Sequence, residues 1–150
     1  MLKDYISEEL IFLEVESQNR PDLFRYLSEY LQERGYVTQG FYDFLSRRED
    51  NYPTGLELEG YNVAIPHGDP EFIKKPFIAI IRLINPIQMH RMDDPTLSLP
   101  VSLLFVLGLD SGGNHLMVLK NILALIQEES FIEKLMAVTT PQEAVQLLIQ

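Results

Sequence analysis

The chain has 150 residues, 46% of them apolar and 23% charged, with a formal charge of −10 and no cysteine. That length suits one compact domain over residues 1–150, and no apolar run approaches the roughly 18 residues needed to cross a bilayer, so a soluble chain without direct membrane insertion is expected. The acidity argues against nucleic acid as a ligand, and the lack of cysteine excludes disulfides, thiolate metal sites and a cysteine nucleophile, which fits the cytoplasm.

The opening "MLKDYISEELIFLEV" carries acidic residues where a secretory signal would carry basic ones, so no export is expected. Residues 10–15, "LIFLEV", read as a strand. "NRPDLFRYLSEYLQERGY" reads as a helix with Asn19 as N-cap, a core face of Leu23, Leu27, Tyr30 and Leu31, and a stop at Gly35. "TQGFYDFLSRRED" reads as a second, shorter helix, and "NYPTGLELEGYN" as a turn region.

"VAIP" is a short strand running into a loop. "PFIAIIRLI" at 76–84 and "VSLLFVLGL" at 101–109 are apolar on successive residues, as strands buried on both faces are; the polar, Pro-containing stretch "NPIQMHRMDDPTLSLP" between them reads as a loop. Helical spacing from Asn114 runs through Leu116, Leu119, Leu123 and Ile126. "EESFIEKLMAV" is a further helix, and Thr140 caps a last one that opens on Pro141. This order of elements predicts a three-layer α/β sandwich: a mixed, mostly parallel sheet with helices on both faces.

Chemistry is concentrated in three histidines. His67, in "NVAIPHGD", follows a strand, where α/β folds tend to bind ligands; alone it is equally a polar loop residue. His115 stands beyond the other long strand at the start of a predicted helix, whose unpaired N–H groups suit an anion. If the two strands are neighbours, both histidines share one edge of the sheet. His90, beside Arg91 in the polar loop, reads as solvated, and Lys74 and Lys75 as rim residues. No Walker loop, Gly-x-Gly-x-x-Gly or Gly-x-Ser-x-Gly is present.

Read together, "SRREDNYPTGLE", "YNVAIPHGD", "PFIAIIRL" and "VSLLFVLGLDSGGNHLMVLKNIL" resemble the enzyme IIA domain of the phosphoenolpyruvate-dependent sugar phosphotransferase system, fructose/mannitol superfamily. The resemblance runs from about residue 5 to the end, and "YPTGLELEGYNVAIPH" with the "NPIQMHRMDD" insertion is most like the galactitol-type proteins. It implies a phosphorylated histidine at His67, a second active-site histidine at His115 and an active-site arginine at Arg48, the one followed by Glu49. It also implies a cytoplasmic phosphocarrier that takes a phosphoryl group from the histidine phosphocarrier protein. The acceptor would be a cysteine of a IIB component, serving uptake of galactitol or a related sugar or polyol.

For that chemistry one ring nitrogen of His67 must hold a proton against an acceptor, a backbone carbonyl or His115, while the other keeps its lone pair. Arg48 would offer a fork to the phosphoryl oxygens, and neither magnesium nor another cofactor is required. Ile65, Phe72 and Met89 are candidates for a partner surface, or for core. Three other readings remain: a regulatory phosphoprotein like the nitrogen-related IIA proteins, a metal-dependent hydrolase using His67, His115 and Asp69, and a purely structural interaction domain, which would have no use for His67 in that setting.

Overall fold

The computed structural model describes residues 2–110 and 115–149. In chain order it contains β1 (Ile11–Val15), α1 (Arg20–Glu33), α2 (Phe41–Asn51), β2 (Gly55–Glu57), β3 (Asn62–Ala64), β4 (Phe77–His90), β5 (Ser98–Gly108), α3 (His115–Ile126), α4 (Glu129–Ala137) and α5 (Pro141–Ile149), with short 3-10 turns between some of them. Local signals set several boundaries. The Asn19 side chain accepts from the Asp22 N–H at 2.8 Å, and α1 stops at Gly35, whose φ is +82°. Thr140 Oγ1 accepts from the Glu143 N–H at 3.2 Å to cap α5. The expected α3 start at Asn114 lies outside the described residues.

The strands form one mixed sheet in the order β1-β4-β5-β3-β2. β1 runs parallel to β4 and β3 parallel to β5, while β4 with β5 and β2 with β3 are antiparallel. Because successive side chains of a strand point to opposite faces, the two long apolar strands feed two cores. Phe77, Ala79 and Ile81 pack with Leu23, Phe24, Leu27, Phe41 and Leu45 of α1 and α2. Ile78 and Ile80 pack with Val118, Ile122, Phe131, Ile132, Ala144 and Leu148 of α3, α4 and α5. Helices therefore cover both faces, the three-layer arrangement expected.

Two stretches differ from the sequence reading. The region expected to be a loop after residue 84 is mostly hairpin: β4 continues to His90 and β5 begins at Ser98, with Ile87 opposite Val101 and Met89 opposite Leu99. Those four side chains are buried, and their alternation is masked by the prolines and polar residues between them. Gly55–Glu57, expected within a turn region, is a strand because β3 lies beside it to accept the ladder. Tyr30 is half-buried against the core, and Phe24, not anticipated, is fully enclosed. Among the described residues no helix is long and apolar enough to cross a membrane.

Candidate functional site

The site grows from the last turn of α2. Phe41 and Leu45 point into the core, and the residue that continues their i, i+4, i+8 face is Glu49, only 3% exposed. Arg48, one step round the helix, is thereby turned to the edge of that face and is half-buried. The Glu49 carboxylate accepts the Thr54 N–H at 2.8 Å and the Thr54 hydroxyl at 3.0 and 3.1 Å. Thr54 Oγ1 in turn accepts the Ile65 N–H at 3.2 Å. Burial raises the Glu49 pKa, while the bonds from Thr54 oppose the rise.

Beyond β3 the chain continues alongside β5: Leu107 donates its N–H to the Pro66 carbonyl at 2.9 Å, and Gly68 donates to the Leu107 carbonyl at 3.1 Å. His67 is held between these two bonds and is half-buried. Its Nδ1 lies 2.9 Å from the Ile65 carbonyl oxygen, and its Nε2 lies 2.9 Å from Arg48 Nη2. A carbonyl only accepts and a guanidinium only donates, so both neighbours select one tautomer: Nδ1 carries the proton and Nε2 the lone pair. Of the two acceptors the sequence left open for Nδ1, the backbone carbonyl is the one observed.

Burial pushes the His67 imidazole below its ordinary pKa; the bond to Ile65 opposes this, and the Arg48 charge adds to it. The ring is thus kept neutral with its lone pair available. Among the described residues the buried Nε–H of Arg48 has no hydrogen-bond partner. A nucleophilic nitrogen beside an arginine with an unused donor is an arrangement fit to take and hold an anionic group.

Arg48 and His67 are in direct contact, although they lie 19 positions apart in the chain. His115 is the exposed first residue of α3, which follows β5. Because β3 and β5 are parallel neighbours, the segments leading to His67 and to His115 leave the sheet at the same edge, as the sequence reading required. The preceding "SGGN", residues 111–114, lies outside the described residues. His90 Nδ1 donates to the Pro95 carbonyl at 3.1 Å in the hairpin, and the residue is exposed. Asp69, considered as a metal ligand, accepts the Glu71 N–H at 3.0 Å, and no group of three metal-capable side chains forms among the described residues.

Ile65 and Met89 are 2% and 1% exposed, which removes them as partner-contacting residues; they are core. The sequence reading used Glu49 and Thr54 only as motif positions and gave neither a part in the site. The signal that could have found Glu49 is its phase: a carboxylate at the position where the Phe41–Leu45 face calls for an apolar side chain.

Residues 4–150 match the family described as "Phosphoenolpyruvate-dependent sugar phosphotransferase system, EIIA 2". The chain is 26% identical over 124 residues to the PTS system galactitol-specific EIIA component of Escherichia coli, covering 83% of this chain and 81% of that one. It is similar to the crystal structure of nitrogen regulatory protein IIA-Ntr from Neisseria meningitidis, with a TM-score of 0.80, 29% identity and 97% of each chain covered. The fold also matches a chain in the complex of enzyme IIAMTL and phosphorylated enzyme IIBMTL from Escherichia coli, at a TM-score of 0.77, 22% identity and 96% of each chain. A neutral, arginine-backed histidine at the edge of a three-layer sandwich and a family match over almost the whole length agree: the chain belongs to the EIIA 2 family of the phosphoenolpyruvate-dependent sugar phosphotransferase system.

Proposed function

We propose that His67 is the phosphoryl-carrying residue of this IIA component, with Arg48 and His115 completing the catalytic site. The observation that carries the proposal is the pair of opposed contacts on the His67 ring, Nδ1 to the Ile65 carbonyl and Nε2 to Arg48. The donor is the phosphohistidine of the histidine phosphocarrier protein. The Nε2 lone pair attacks phosphorus, the donor's P–N bond breaks, and its electron pair returns to the donor imidazole. The proton stays on Nδ1, donated to the Ile65 carbonyl, throughout.

Arg48 gives up its bond to Nε2 as the new N–P bond forms and turns its fork, including the unused Nε–H, to the phosphoryl oxygens. The loose transition state spreads charge over those oxygens, where a fixed cation is most effective. His115 lies at the same sheet edge and supplies a further donor. Release reverses the balance: a thiolate of a IIB component attacks phosphorus and the electron pair returns to Nε2. One arginine and one histidine stabilise phosphohistidine while leaving it transferable.

The chain acts as one cytoplasmic phosphocarrier domain with the phosphocarrier protein and a IIB component as successive partners. Exposed Tyr52, close to Arg48 in the chain, and exposed Leu116 and Met117, which follow His115, offer apolar contacts around the site. Galactitol or a related polyol is the sugar favoured, on the likeness to the galactitol-specific component. The likeness to the nitrogen regulatory protein supports a second reading, a regulator whose phosphorylation state governs protein binding. Transfer of the phosphoryl group to a IIB cysteine separates the two.

The test is incubation with phosphoenolpyruvate, enzyme I and the histidine phosphocarrier protein, read by intact mass. Wild type should gain one acid-labile, alkali-stable phosphoryl group and His67→Ala none. A folded wild-type protein that takes up no phosphoryl group refutes the proposal.

A further inference from the structure

We infer that Glu49 and Thr54 are positioning residues that set the tautomer of His67; the inference rests on the reading of His67 as phosphoryl acceptor. Neither touches the imidazole. They act through the Ile65 peptide that does.

The polarity of the network runs one way. An ionised carboxylate only accepts, so Thr54 must spend its single hydroxyl proton on Glu49, leaving the oxygen lone pairs facing the Ile65 N–H, which they accept at 3.2 Å. Gly55 pairs with Ala64 in the β2–β3 ladder, so Thr54 is the next residue along, opposite Ile65. There the side-chain hydroxyl takes over the role of a ladder carbonyl. With its N–H held by Thr54, its side chain 2% exposed and the following Pro66 carbonyl held by Leu107, Ile65 is constrained on three sides. Its own carbonyl is left aimed at Nδ1.

The same carboxylate ties together the two elements that carry the reacting groups. Glu49 adjoins Arg48 at the end of α2, and its bonds to Thr54, whose hydroxyl accepts from the Ile65 N–H, link that end to the segment leading into His67. Burying a carboxylate costs several kcal/mol unless it is well bonded, and an apolar residue would continue the Phe41–Leu45 face without that cost. A buried acceptor-only group at this point is explained by the orientation it imposes on Thr54.

The experiment compares wild type with Thr54→Val, Thr54→Ser and Glu49→Gln, read in two ways. The first is the tautomer of His67 in the unphosphorylated protein, from imidazole ¹⁵N shifts. The second is the single-turnover rate of phosphoryl transfer from the phosphorylated histidine phosphocarrier protein. Thr54→Val, isosteric but without the hydroxyl, should populate the Nε2–H tautomer and slow transfer by about ten- to a hundredfold, the scale on which misplacing a reacting group acts.

Thr54→Ser should restore both readouts, and Glu49→Gln, with one strong acceptor oxygen in place of two, should fall between. A folded Thr54→Val with wild-type tautomer and rate overturns the inference, as does a Thr54→Ser as impaired as Thr54→Val. Should Thr54→Val not fold, Glu49→Gln decides: a shifted tautomer supports the inference and an unchanged one overturns it. Wild type that accepts no phosphoryl group would refute the phosphocarrier reading alone, because the tautomer measurement needs no transfer.

Discussion

Replacing Arg48 by alanine removes the guanidinium that contacts the His67 ring at 2.9 Å, and with it the donor that Nε2 has among the described residues. Loss of a single fixed donor from a site that stabilises developing negative charge slows the chemical step by about 10²–10³. The effect on folding should be much smaller. The bond to His67 contributes a net stabilisation of about 1 kcal/mol, whereas the buried, unpartnered Nε–H is itself a desolvation cost of about 1–3 kcal/mol that the substitution relieves. Arg48→Ala should therefore fold within about 1 kcal/mol of wild type. Rapid-quench transfer from the phosphorylated histidine phosphocarrier protein, beside urea unfolding of the same samples, measures both. The imidazole pKa of His67 should also rise, since the nearby charge that disfavours its protonation is gone. Arg48→Lys should recover part of the rate, because it returns the charge without the fork. A folded Arg48→Ala that transfers at the wild-type rate would refute the assignment, and a loss of stability above about 3 kcal/mol would make the residue structural instead.

The His67 pKa is lowered in the folded state, so the unfolded chain takes up the proton first as pH falls; stability should decline with falling pH from about 6.5 and level off below the folded value. Glu49, raised by burial, has the opposite sign, its contribution being lost as pH rises from its ordinary value of 4.5 through its folded one. Urea midpoints of wild type and His67→Gln between about pH 5 and 8 isolate the histidine component, and parallel curves would contradict it. Gly55→Ala should destabilise by about 1–3 kcal/mol, because the added Cβ would lie 2.5 Å from the His90 carbonyl oxygen, a backbone atom held in the hairpin. An unchanged urea midpoint would show that the hairpin gives way at this contact.

Features governed by near neighbours in the chain were legible. The Asn19 and Thr140 caps and the Gly35 stop follow from a few adjacent residues and are found as read; the stretch 76–84, read as buried on both faces, is so from Phe77 to Ile81 and at Leu83, whereas Ile84 is exposed. The resemblance implied that Arg48 and His67 share a site, and the two side chains are in contact. The hairpin from Ile87 to Val101 was not legible, because its register depends on pairing two segments whose prolines and polar residues hide the alternation. Nor was the burial of Met89, which depends on the same pairing.

The residues surrounding His67 show the same division. Local pattern determined that a histidine follows a short strand and that an arginine ends a helix, since capping, periodicity and strand burial act over a few residues. Tertiary structure alone decided which ring nitrogen is free, because that depends on the Ile65 carbonyl on one side and Arg48 on the other. It also decided that Glu49 lies in the core bonded to Thr54, since a carboxylate can occupy an apolar helical face only where the chain folds back to supply donors, here from five residues on.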